Sequence, residues 1–156
     1  MKLKDIGLYK SRIANAFTTS SDIGELMLGN LYDEEIANEQ LMYHNIFPYL
    51  YIEGTQTEEK SYLCFDIDIP RVIDDNLKNI EITVFAYCHK RIMDYKKTDF
   101  MGDRADILAD MAERCLSGSE KLGIGKLKLD SSRAISLGEN FYGRKLVYKN
   151  PDFVRR

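Results

Sequence analysis

The sequence predicts an α+β fold, with a mainly antiparallel sheet, helices packed on one of its faces and an N-terminal helical segment. From Phe47 to Cys88 apolar residues recur with a period of two, as half-buried strands require. On either side of that region, Ile6 to Phe17 and Ala105 to Cys115 carry apolar residues at helical spacing. The segment order is helices, then strands, then one helix and further strands, which is that of a layered α+β domain.

Ile6, Tyr9, Ile13, Ala16 and Phe17 form the stripe of a first amphipathic helix that ends near TTSS. Asp22 with Glu25 reads as an Asp-x-x-Glu start signal, followed by short helical pieces before Pro48. FPYLYI and SYLCFDIDI read as two strands joined by the polar connection EGTQTEEK, a long-looped β-hairpin. The next strand, IEITVFAYCH, is apolar or aromatic on both faces, which predicts the centre of the sheet. In GDRADILADMAERCLSG, Asp103 is the expected cap, Ala105, Leu108, Met111, Ala112 and Cys115 the stripe, and Gly118 the stop. GKLKLDSS reads as a short strand, RAISLGEN as a loop and FYGRKLVYK as a closing strand at the edge of the sheet. The whole of 1–156 is expected to be a single domain, with a helical, acidic part over 1–46 and a sheet-plus-helix core over 47–156.

The chain has 44% apolar and 30% charged residues and a formal net charge of -3, so no overall basic field recruits nucleic acid. Charge is unevenly spread. From Ile13 to Glu59 the charged residues are all acidic, while KRIMDYKK gathers Lys90, Arg91, Lys96 and Lys97. Opposite patches of this kind suit association with partners or with further copies of the chain. Cys64, Cys88 and Cys115 are odd in number and widely spaced, which predicts buried free thiols in a reducing cytoplasm and neither a disulfide framework nor a zinc site. MKLKDIGLYK has no signal-peptide core and no apolar run reaches membrane-spanning length.

Asp66 and Asp68 share one face of a strand, and with Asp74 and Asp75 in DDNLKN they offer carboxylates for a magnesium ion. DDNLKN resembles, over its own length, a turn that Holliday-junction resolvases carry near their catalytic aspartates. A magnesium-dependent nuclease using Asp66, Asp68, Asp74 and Asp75 is therefore the alternative function. The simpler reading makes Asp66 and Asp68 the wet side of a sheet and Asp74 and Asp75 turn formers. His44 and His89 read as structural, and GIGKLKL lacks the P-loop spacing. Aromatic and basic residues interleave in FYGRKLVYKNPDF, a pattern suited to single-stranded bases or to a protein interface. Tyr142, Arg144 and Tyr148 join Lys90, Arg91, Lys96 and Lys97 as candidate interface residues.

The opening helix, the long-looped hairpin, a central strand like NIEITVFAYCHK, a capped helix like GDRADILADMAERCL and a closing strand like FYGRKLVYKNPDF resemble the tail terminator, or tail completion, proteins of long-tailed bacteriophages. The resemblance spans Phe47 to Phe153. It implies a hexameric homo-oligomeric ring that caps the finished tail tube and joins it to the head connector, with the tail tube protein and a connector or neck protein as partners. It also implies a place in the virion, DNA passing through the channel without specific binding, no membrane, no cofactor, no metal and no catalysis. Thr18 to Ile46 departs from it, because family members connect their first helix to the sheet more briefly.

Overall fold

The computed structural model describes residues 3–51, 58–72, 78–117, 122–123 and 127–150. The elements are α1 (Asp5–Thr18), α2 (Ser21–Leu28), α3 (Ala37–Leu41), β1 (Ile46–Phe47), β2 (Ser61–Val72), β3 (Lys78–His89), α4 (Arg104–Leu116), β4 (Lys128–Leu137) and β5 (Phe141–Lys149). The strands form one five-stranded sheet in the order β1-β2-β3-β5-β4, antiparallel throughout except for the β1–β2 pair. The predicted α+β class and the central place of β3 are both observed.

Alternation along the strands decides which layer each side chain joins. Leu63, Phe65 and Ile67 of β2, Ile82, Val84 and Ala86 of β3, and Leu146 and Tyr148 of β5 face the helices. Ile13 and Phe17 of α1, Ile23 and Leu26 of α2, and Leu108, Met111 and Ala112 of α4 close over them in one hydrophobic cluster. Phe17 meets Phe65 edge-on, with ring centroids 5.7 Å apart. The acidic N-terminal part is therefore built into the same core as the sheet. α4 starts where expected: Asp103 accepts from the Asp106 amide at 2.8 Å and Asp106 returns the bond to the Asp103 amide at 3.2 Å, a complete capping box. Among the described residues no helix is long and apolar enough to cross a membrane.

Four local expectations differ from the structure. The start signal of α2 is Ser20, whose Oγ accepts from the Ile23 amide at 3.3 Å; Asp22 and Glu25 are engaged elsewhere. FPYLYI and SYLCFDIDI do not form an antiparallel hairpin, because β1 is only Ile46–Phe47 and runs parallel to β2. Extended backbone continues through RAISL, so β4 takes up most of the expected loop and turns into β5 at Gly138, whose φ of 67° suits glycine. Finally, β5 is an interior strand between β3 and β4, and β4 is the edge. Gly143 fixes that placement: a side chain there would run into the Ala86 carbonyl and Tyr87 of β3. The Gly118 stop and the turn residues Asp74 and Asp75 lie outside the described residues.

Candidate functional site

The candidate interface residues fall in two places, and the structure uses several of them internally. Tyr148 is fully buried on the helix side of β5, where its hydroxyl donates to Glu113 Oε1 of α4 at 2.6 Å. Arg144, on the same face, donates from Nε to Asp106 Oδ1 at 3.1 Å, tying β5 to the first turn of α4. Tyr142 is half-buried against the core. As an interior strand with these attachments, β5 is not the free edge that its aromatic and basic composition suggested. Tyr148 is withdrawn from any surface.

The KRIMDYKK loop is pinned as well. Lys97 reaches back to α2, with Nζ 2.9 Å from Glu25 and 3.5 Å from Asp22, and its pKa is raised mainly by the Glu25 hydrogen bond. Arg104 stacks on Tyr95 at 4.4 Å and donates to the carbonyls of Ile92 and Leu26 at 2.6 and 2.8 Å. The acidic segment and the basic loop thus meet within one molecule. Lys90, Arg91 and Lys96 stay exposed, and Lys96 lies on the rim of an open groove of about 800 Å³ lined also by Tyr95, Phe100, Met101 and Ile107.

The face of the sheet away from the helices carries a second arrangement. Phe47, Tyr62, Cys64, Tyr87 and Phe141 are buried there as a separate cluster, with Tyr51 and Phe85 against it. Tyr51 stacks on Phe47 at 4.2 Å, and Tyr62 on Tyr87 at 5.2 Å. The Tyr87 hydroxyl donates to the Tyr51 carbonyl, so the chain after β1 straps one end of this face. His89 packs edge-on against Phe141, and its Nδ1 accepts from the Arg91 amide at 3.1 Å, so it serves as a cap. Burial pushes the Cys64 thiol up to about 11 and that of Cys88 up to about 12, which suppresses the thiolate form needed for nucleophilic chemistry near neutral pH.

Beyond the aromatic cluster the same face is charged. Asp66 and Asp68 lie on it, as the period of two predicts. Asp66 is held by Lys10 of α1 at 2.9 Å and accepts from the Ile67 amide at 2.8 Å, while Asp68 is exposed beside Glu81 of β3. Lys10 also donates to the Pro48 carbonyl at 2.7 Å, reaching around the short β1. Among the described residues no group of three or more His, Cys, Asp or Glu side chains could hold a metal ion. Across the sheet the sign changes: Lys145 and Lys149 of β5 and Lys128 and Arg133 of β4 share this face, with Asp130 3.3 Å from Lys149.

Sequence reasoning missed this acid-to-base gradient because it depends on strand order. Its residues were visible, but the neighbours that line them up were not. The YomW family model matches residues 14–150 of the chain, taking in the end of α1, the other three helices and the whole sheet. No curated protein matches it.

Proposed function

The chain belongs to the YomW family, a phage-related family, and from that premise we propose that it is a structural component of a phage or phage-like particle. In this reading it assembles as a homo-oligomeric ring, taken as a hexamer, that closes the tail tube and joins it to the head connector. It acts by shape and assembly, with no cofactor, and DNA passes through the ring without specific binding. The single observation that carries the reading is the β4 edge: ten residues, mostly exposed, with no strand on their outer side among the described residues. A strand of that length left open invites pairing with another chain, and a closed ring of identical subunits satisfies it without leaving an edge. The helix-covered face, welded to α1, α2 and α4, supplies the rigid side of such a subunit.

The test is the mass of the purified protein in solution and its binding to purified tail tubes. A discrete ring that caps tubes is expected. A monomer that ignores tubes at tens of micromolar would overturn the reading, as would magnesium-dependent DNA cleavage lost in Asp68→Ala.

A further inference from the structure

We infer that the ring is closed by β-strand addition between copies, with the outer edge of β4 in one copy pairing antiparallel to the outer edge of β2 in the next. The inference rests on the ring reading above and names the partner of its open edge as a second copy of this chain.

Both edges carry backbone groups that no other strand pairs among the described residues. β1 pairs only with Leu63 and Cys64, so β2 from Phe65 onward has no outer strand among the described residues. The register shift between Asp68 and Arg71 ends the regular part of that stretch at Asp68, and within it the Ile67 amide already donates to Asp66 Oδ1, which leaves the Phe65 and Ile67 carbonyls for a partner strand. On β4 the register shift between Leu129 and Ser131 bounds the regular stretch to Ser131–Leu137. Two short stretches with no partner strand among the described residues therefore lie at opposite margins of one sheet.

Direction follows from topology. β2, β3, β5 and β4 are joined by three successive antiparallel pairings, so β4 runs opposite to β2. A rotation that carries the sheet into its own continuation preserves strand directions, and β4 then meets the next β2 antiparallel. That is the same ladder the chain already uses.

Charge selects this pairing over its rivals. On the open face the cross-strand row Asp68, Glu81, Lys149, Lys128 runs from acid at the β2 margin to base at the β4 margin. Asp130 answers Lys149, so among the described residues the free basic charge of the β4 margin is that of Lys128 and of Arg133, which lies beside Lys145. Lys10 answers Asp66, which leaves exposed Asp68 as the acid facing outward. Joined head to tail, basic and acidic margins meet. A β4–β4 or β2–β2 contact would set like charges opposite one another, and each would close as a twofold dimer.

The experiment uses full-length chains with one added cysteine: Asp68→Cys on one, and Ser131→Cys, Arg133→Cys or Ile135→Cys on the other, three open-face positions that cover the possible registers. Under mild oxidation, at least one one-to-one mixture is expected to give a covalent dimer that neither variant gives alone and that wild type, with its native thiols, does not give. Circular dichroism and the mass of the reduced particles check that each variant folds and assembles like wild type. Cross-linking of a β4 variant with itself at equal yield would overturn the inference in favour of a twofold contact. Absence of cross-links in every mixture while the cysteine variants themselves form rings of wild-type mass would overturn edge pairing and leave the ring standing, and loss of rings in Asp68→Cys that Asp68→Glu does not share would support the charged seam. A wild type that stays monomeric would overturn both.

Discussion

On its helix side the sheet presents Phe65, Ile82, Val84 and Leu146, which are covered by three helices; on the other side the same strands present Tyr62, Tyr87 and Phe141 at one end and Asp68, Glu81 and Lys149 at the other. The first face is sealed by secondary structure made for the purpose. The second is sealed only where the strap from Phe47 to Tyr51 crosses it, and beyond the strap it is polar. Alternation alone makes both faces, but what lies over each determines its chemistry. The lesson is that a period of two specifies two surfaces without saying which one will remain open.

The largest expected effect tests whether the faces differ in burial. Phe65→Ala empties a fully buried site against Phe17 and should cost about 3–5 kcal/mol. Phe85→Ala, at a half-buried position on the open face, should cost about 1 kcal/mol. Urea unfolding measures both, and equal losses would break the comparison.

An intermediate effect sharpens it with pH. Cys64 lies in the strapped cluster of the open face and Cys88 on the helix face, and burial raises both thiols from an ordinary 9.0, to about 11 and about 12. A raised pKa means that the unfolded chain releases its proton first as pH rises. The contribution of these thiols to stability is therefore complete below pH 9.0 and is lost progressively as pH climbs toward about 11 and then about 12. Burial moves Tyr87 and Tyr148 upward from 10.0 as well and adds to the alkaline loss. Denaturation followed from pH 8 to 11 should show a shallower decline in Cys64→Ala than in wild type. An unchanged slope would mean that water reaches beneath the strap and that this end of the open face is wet.

The smallest effect concerns ion pairs. Lys97→Ala breaks the contacts to Asp22 and Glu25, and Lys149→Ala breaks the one to Asp130 on the open face. Each should cost about 0.5 kcal/mol, and both losses should fade in high salt. A much larger loss at Lys97 would show that the loop after β3 depends on that lysine more than on the Arg104 clamp.

Local signals carried most of the fold that could be read in advance. The Asp103 cap, the stripe of α4 and the two-faced hydrophobicity of β3 depend on residues close in sequence, and all three are observed. The failures are nonlocal. Whether FYGRKLVYK lies at an edge depends on its neighbours, and what marks it as interior, the lack of room for a side chain at Gly143 and the burial of Phe141, Leu146 and Tyr148, is visible only in the structure. In the same way the nearness of Asp22 to Glu25 suggested a cap, while the hydroxyl of Ser20 had the geometry and the two acids were free to meet a lysine more than seventy residues away. Of the candidate interface residues, composition identified basic and aromatic character correctly. It could not tell that Tyr148, Arg144 and Lys97 would find their partners inside the chain.

The insertion of β5 between β3 and β4 also sets the timing of folding during synthesis. β3 gains its first neighbour from the strand made just before it, but its second arrives only after α4 and β4 have been made. Until then the central strand has an open side, the Glu113 carboxylate lacks the Tyr148 hydroxyl, and the Asp106 carboxylate lacks Arg144. A nascent chain ending at α4 therefore holds an apolar helix layer over half a sheet, the state in which strand edges join wrong partners. The β3–β5 pairs that complete the sheet join residues separated by the whole of α4 and β4, so closing that long loop slows folding.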